Sequence, residues 1–84
     1  MGTRSHAIFP YSFQIHVVHP ETHDIVETIG EMNNFKVAYA AFEAACGQRS
    51  MSTIQLRQKS RIIWTARTGH YNSETRKIEL LDLR

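Results

Sequence analysis

Alternation of apolar and polar residues predicts two strands at the start of the chain. From Phe9 to Val18 the apolar residues recur at every second position, which is the period of a strand with one buried face. A turn follows, because Pro20 cannot donate to a ladder and Asp24 favours a turn. Ile25–Glu31 is again rich in Ile, Val and Thr. The two stretches are expected to form an antiparallel hairpin.

A second hairpin gives the clearest alternation in the chain. Thr53–Arg57 is predicted as a strand, Gln58–Ser60 as a polar turn, and Arg61–Arg67 as the returning strand. The residues expected to face the core are Ile54, Leu56, Ile62, Trp64 and Ala66, which places Ile63 on the outer face. A turn-rich loop is expected at residues 68–75. The last stretch, residues 76–83, alternates imperfectly, and it is interpreted as a strand, with a helix as the alternative.

Between the hairpins the apolar period changes to 3.6 residues and predicts a helix over Asn34–Cys46. Its apolar face is expected to carry Phe35, Ala38, Phe42, Ala45 and Cys46. Asn33 is expected as the N-cap. Gly47, after the last periodic residue, is expected to end the helix in a left-handed conformation, which glycine adopts without Cβ strain.

These elements follow one another in the order ββαβββ. The simplest arrangement is an α+β domain, with one helix packed on one face of an antiparallel sheet. The 84 residues suffice for one domain, spanning residues 1–84 with a single core. Residues 1–7 are polar and without periodicity, and they are expected to be disordered.

Composition indicates a cytoplasmic protein that neither spans nor binds a membrane. There is a single cysteine, so no internal disulfide can form, which suits a reducing compartment. No apolar stretch approaches the roughly 20 residues that a spanning helix needs.

The sequence contains no constellation of residues that indicates catalysis. His16, His19, His23 and Asp24 are close in sequence, but their spacing in a strand and turn does not suit a metal site. Cys46 is expected in the core, at the negative end of the helix dipole, which opposes thiolate formation. The expectation is therefore a protein that is not an enzyme and has no metal or cofactor.

Positive charge is concentrated in residues 49–77, with seven Lys and Arg against one Glu, a net of +6. An exposed basic sheet face with an apolar spot suits a partner protein or an acidic surface. The residues predicted to bind it are Arg57, Lys59, Arg61, Ile63 and Arg67. The alternative is non-specific nucleic-acid binding through segment 49–77, which charge alone can support. A second copy of the chain, joined through an open sheet edge to form a homodimer, is a further candidate partner.

Overall fold

A computed structural model of the chain describes residues 12–84 and confirms the predicted order of elements. The elements are β1 (Phe13–Val18), β2 (Ile25–Met32), α1 (Phe35–Cys46), β3 (Thr53–Gln58), β4 (Arg61–Asn72) and β5 (Lys77–Leu83). The last stretch is thus a strand and not a helix. The expected start of the first strand at Phe9 and the segment 1–7 lie outside the described residues.

The strands form one antiparallel sheet with the order β2-β1-β3-β4-β5. Because β1 is antiparallel to both β2 and β3, those two strands are parallel to each other, and α1 crosses from one to the other over β1. This is a split β-α-β unit followed by two hairpin strands. The helix packs against β1, β2, β3 and β4, which confirms the two-layer α+β architecture.

The core lies between α1 and the sheet. Its buried residues are Phe13, Ile15, Ala38, Phe42, Ala45, Ile54, Leu56 and Ala66. Phe42 comes from the middle of the helix, and Ala38 and Ala45, one turn away on either side, allow the helix to approach the sheet closely. Tyr39 belongs to an aromatic group at the N-terminal end of the helix. Its ring centroid lies 6.3 Å from that of Phe42 and 6.4 Å from that of Trp64.

A bulge in the second hairpin reverses the predicted placement of two isoleucines. Leu56 pairs with Trp64 but Arg57 pairs with Ile62, so Ile63 is the extra residue of β4. Ile63 packs against the core, whereas Ile62, with 46% of its surface exposed, lies opposite Arg57 on the other face. The prediction of Ile62 inside and Ile63 outside was wrong, because an inserted residue shifts the alternation by one.

Both ends of the helix differ from the sequence-based expectation. The N-cap is Asn34 and not Asn33, since the Asn34 Oδ1 atom accepts a hydrogen bond from the Val37 N–H at 3.1 Å. Gly47 has φ −79° and ψ −6°, so it continues the helical conformation and makes no left-handed stop. The positive φ in this connection falls on Met51, at 53°.

The loop predicted at residues 68–75 is mostly strand, because β4 continues to Asn72 through two further irregularities against β5. Gly69 lies close to the Leu81 side chain of β5. A Cβ atom there would stand 3.1 Å from Leu81 Cδ2, so a side chain would press on β5. Only residues 73–76 turn, and the Asn72 side chain accepts hydrogen bonds from the backbone N–H groups of Glu74 and Thr75.

Candidate functional site

The candidate site is the sheet face opposite the helix, which we call the open face. The register places its side chains in rows across the strands. One row is Val18, Thr53, Arg67 and Asp82, the next is His16, Gln55, Thr65 and Arg84, and a third is Gln14, Arg57 and Ile62. Arg57 and Arg67 therefore share this face, as the sequence predicted. The rows are polar, although several of their members are buried.

The β1–β2 turn, residues 19–24, folds over the middle of the open face. His23 has φ 63°, in the left-handed region, and its Nδ1 atom lies 3.4 Å from the Gln55 side-chain amide. Gln55 is completely buried, and its Nε2 atom also reaches the Thr65 hydroxyl at 3.4 Å. The turn therefore covers the polar middle of the face, including the Gln55 amide.

Arg57 is held by the protein's own polar groups and is not a free cation. Its Nε atom donates to Gln55 Oε1 at 2.8 Å, and its guanidinium donates a longer bond of 3.4 Å to the His23 carbonyl. A buried amide is costly without partners, and Arg57 supplies one. Arg57 therefore has a structural role, whether or not it also contacts a partner.

His16 is the buried titratable group of the open face. It is 8% exposed, and its Nδ1 atom lies 3.0 Å from the Thr28 hydroxyl. Burial lowers the pKa of His16, and the positive charge of Arg57 lowers it further, against a smaller opposing effect of Glu31. His16 is thus held neutral beneath the surface.

Arg67 is the unpaired cation of this face. Its cross-strand neighbour Asp82 accepts instead from Arg84 Nε, at 2.8 Å. Among residues 12–84, neither an ion pair nor a hydrogen bond engages the Arg67 guanidinium. Exposed charges are normally solvated, but this one borders two adjoining cavities that share Pro20, Thr53 and Arg67.

The two cavities differ in character. The larger, of about 320 Å³, is mainly apolar, with walls that include Val17, Val18, Met51 and Leu81. The smaller, of about 200 Å³, has a larger share of polar surface, with walls that include His23, Thr65, Asp82 and Arg84. We call the pair the Arg67 cleft. Together they fall within the roughly 300–1,000 Å³ typical of small ligand sites.

The remaining predicted site residues lie elsewhere. Lys59 and Arg61 are exposed at the tip of the β3–β4 hairpin, and Ile63 packs into the core. Arg61 is six residues from Arg67 on the same strand, a separation of about 20 Å. The structure therefore does not bring the five predicted residues into one patch.

Positive charge is likewise divided. Arg76 and Lys77 lie at the β4–β5 turn, at the other end of the 12-residue β4 from Arg61, about 40 Å away. Arg49 is paired, because it donates two hydrogen bonds of 2.7 and 2.9 Å to the carboxylate of Glu27. Over the described part of the chain, segment 49–77 therefore presents separate groups of charge and not a continuous basic stripe.

Both edge strands carry irregularities. β2 is bulged against β1 at two points, and β5 is irregular against β4 at two points. Bulges twist an edge away from straight pairing and are a common protection against strand addition. They give little support to a homodimer built on a continuous edge-to-edge ladder.

Nucleophilic and metal chemistry receives no support from the described residues. Burial is the main cause that raises the pKa of the Cys46 thiol to about 11, and the negative charge of Glu43 is the smaller cause. Cys46 is therefore a neutral thiol near pH 7. Within residues 12–84 no three His, Cys, Asp or Glu side chains are grouped to hold a metal ion. His19 instead accepts backbone hydrogen bonds within its own turn. No helix in the same range is long and apolar enough to cross a membrane.

Sequence reasoning missed Thr53, His23 and Gln55 as parts of the site. Thr53 and Gln55 look like outward positions of an alternating strand, and only the turn above them and the flanking strands bury them. The one available signal is the polar character of β3 on this side, which by itself indicates exposure. Comparison of the sequence with known protein families and with curated proteins, and of the structure with solved structures, finds no match.

Proposed function

We propose that this chain is a small non-enzymatic interaction module that binds a partner protein through the open face, with Arg67 at the centre of the contact. The observation that carries the proposal is the Arg67 guanidinium, which has no partner among residues 12–84 and lies beside exposed apolar surface that includes Leu81 at 53% exposure. Arginine beside apolar surface is the composition that interface centres favour.

The rest of the open face supports this choice of surface. The hydrogen bonds of Gln55 with Arg57 and His23 hold the sheet and the β1–β2 turn together. A surface that is already ordered loses less conformational entropy when it binds. Ile62, next to Arg57, supplies the exposed apolar position that the sequence assigned to Ile63.

The test compares two charge reversals, Arg67→Glu and Arg76→Glu, in tagged protein recovered from the native host. Both residues are exposed, Arg67 on β4 and Arg76 in the turn that follows it. Each change replaces one arginine by glutamate, so the two variants have the same net charge. We expect Arg67→Glu to lose proteins that the unaltered chain retains, and Arg76→Glu to keep them. Arg57→Glu is unsuitable, because it would also leave Gln55 without its donor.

Three outcomes would overturn the proposal. Equal loss in both variants would indicate a general charge effect, and no loss in either would exclude the Arg67 surface. Loss of all retained proteins after nuclease treatment would favour nucleic-acid binding. In that case binding to duplex DNA should weaken steeply with salt, by about −0.9 in the log–log slope for each phosphate contact.

A further inference from the structure

We infer that the Arg67 cleft binds a carboxylate that is joined to an apolar group, and that the partner presents both in one short peptide segment ending in its C-terminal carboxylate. This inference rests on the proposed function and specifies the chemistry that the partner must bring. It depends on an exposed guanidinium and a buried hydroxyl, neither with a partner among residues 12–84, that line the same space, and on the apolar walls beside them.

The first group is the Arg67 guanidinium, which is exposed and has no partner among residues 12–84. The pairing of Asp82 with Arg84 removes the one carboxylate that lies across the strand from Arg67. The cleft has a net positive charge when Arg67, Asp82 and Arg84 are counted together. A guanidinium has five N–H donors in a planar arrangement that matches the two oxygens of a carboxylate.

The second group is the Thr53 hydroxyl. Thr53 is only 6% exposed and lines both cavities, and within residues 12–84 its hydroxyl has no hydrogen-bond partner. Buried polar groups nearly always have a partner, so an orphaned one calls for an explanation. Because Thr53 and Arg67 are cross-strand neighbours, one bound anion can accept from both.

The neighbouring Thr65 hydroxyl belongs to the lining of the smaller cavity. It accepts a hydrogen bond from the Gln55 amide, and the described residues provide no acceptor for its own proton. Two hydroxyls and a guanidinium therefore line the smaller cavity. The guanidinium only donates and each hydroxyl can donate, which favours an anion over a cation.

The apolar cavity determines what the anion is attached to. Most of its surface is apolar, and its lining includes Val17, Val18, Pro20, Met51 and Leu81. A bare inorganic anion would leave these side chains in water, whereas a ligand with a branched aliphatic side chain would cover them. A C-terminal leucine-like residue has both required parts, and its size suits a cavity of about 320 Å³.

The experiment titrates the full chain with acetyl-Leu-Leu bearing a free carboxylate, and follows backbone amide shifts by NMR. We expect saturable shifts grouped at Val18, Thr53, Arg67 and Leu81. The C-terminal amide of the same peptide should bind about tenfold more weakly or worse, because it cannot form the charged pair. Octanoate, as a second arm, separates a free apolar acid from a peptide.

Two variants and a control accompany the titration. Arg67→Gln should weaken the acid peptide by about tenfold, and Thr53→Val, which keeps the shape of the side chain, should weaken it by several-fold. Arg61→Gln, on the same strand but about 20 Å away, should leave the affinity unchanged. Dispersed amide spectra of each variant verify that it is folded.

The inference is overturned if the acid and amide peptides bind equally, if no saturable shift appears, or if Arg61→Gln weakens binding as much as Arg67→Gln. Binding of octanoate but not of the peptide would overturn the peptide origin of the ligand. If these results occur while Arg67→Glu still loses its partners, the interaction module stands and only the carboxylate chemistry is discarded.

Discussion

At the scale of single residues, His16 couples the open face to pH. It is buried beside Arg57, and both its burial and that positive charge disfavour the imidazolium. The unfolded chain, in which His16 has its ordinary pKa, therefore binds a proton more readily than the folded chain. Under this condition the free energy of unfolding rises with pH.

We therefore expect full stability above about pH 6.5 and a progressive loss as pH falls below that value toward the lowered pKa of His16. Urea unfolding between pH 7.5 and 5 measures this loss. The pKa of Glu31 is also lowered, by hydrogen bonds from Ser12 and Gln14, but its contribution is lost only at more acidic pH. His16→Asn should flatten the profile, and His70→Asn, at an exposed position on β4, should not. A slope that survives His16→Asn would contradict this account.

At the scale of elements, the order ββαβββ could be predicted because alternation and helical period are local properties of the sequence. The bulges could not, because a bulge is defined by two strands together. For this reason Ile62 and Ile63 were interchanged while Ile54 and Leu56, before the bulge, were placed correctly. The Arg67 cleft was missed for a related reason, since its walls come from β1, the β1–β2 turn, the loop after α1, β3, β4 and β5.

The bulge can be tested with a matched pair of substitutions, Ile62→Thr and Ile63→Thr. Threonine keeps the β-branch, so the two variants differ mainly in the burial of the position. Ile63→Thr should lower the free energy of unfolding by about 1–2 kcal/mol, because a hydroxyl replaces an ethyl group against the core. Ile62→Thr should change it by less than about 0.5 kcal/mol. Thermal or urea unfolding that reversed this order would support the simple alternation instead.

At the scale of the whole molecule, the fold has one covered and one partly open sheet face. It is elongated, 48 × 26 × 19 Å, because β4 and β5 extend beyond the split β-α-β unit. The helix and its core account for one face, and the polar rows under the β1–β2 turn account for the middle of the other. The Arg67 cleft lies where this turn meets β4 and β5, so the proposed binding surface depends on the complete tertiary arrangement.

Site-specific photo-crosslinking in the native host tests the location of this surface most directly. A p-benzoylphenylalanine residue would replace Leu81, in the wall of the cleft, or Lys36, which is exposed on α1. We expect protein adducts from position 81, reduced by Arg67→Glu in the same chain, and none from position 36. Adducts from position 36 alone, or adducts from position 81 that persist with Arg67→Glu, would contradict the assignment of the open face as the binding surface.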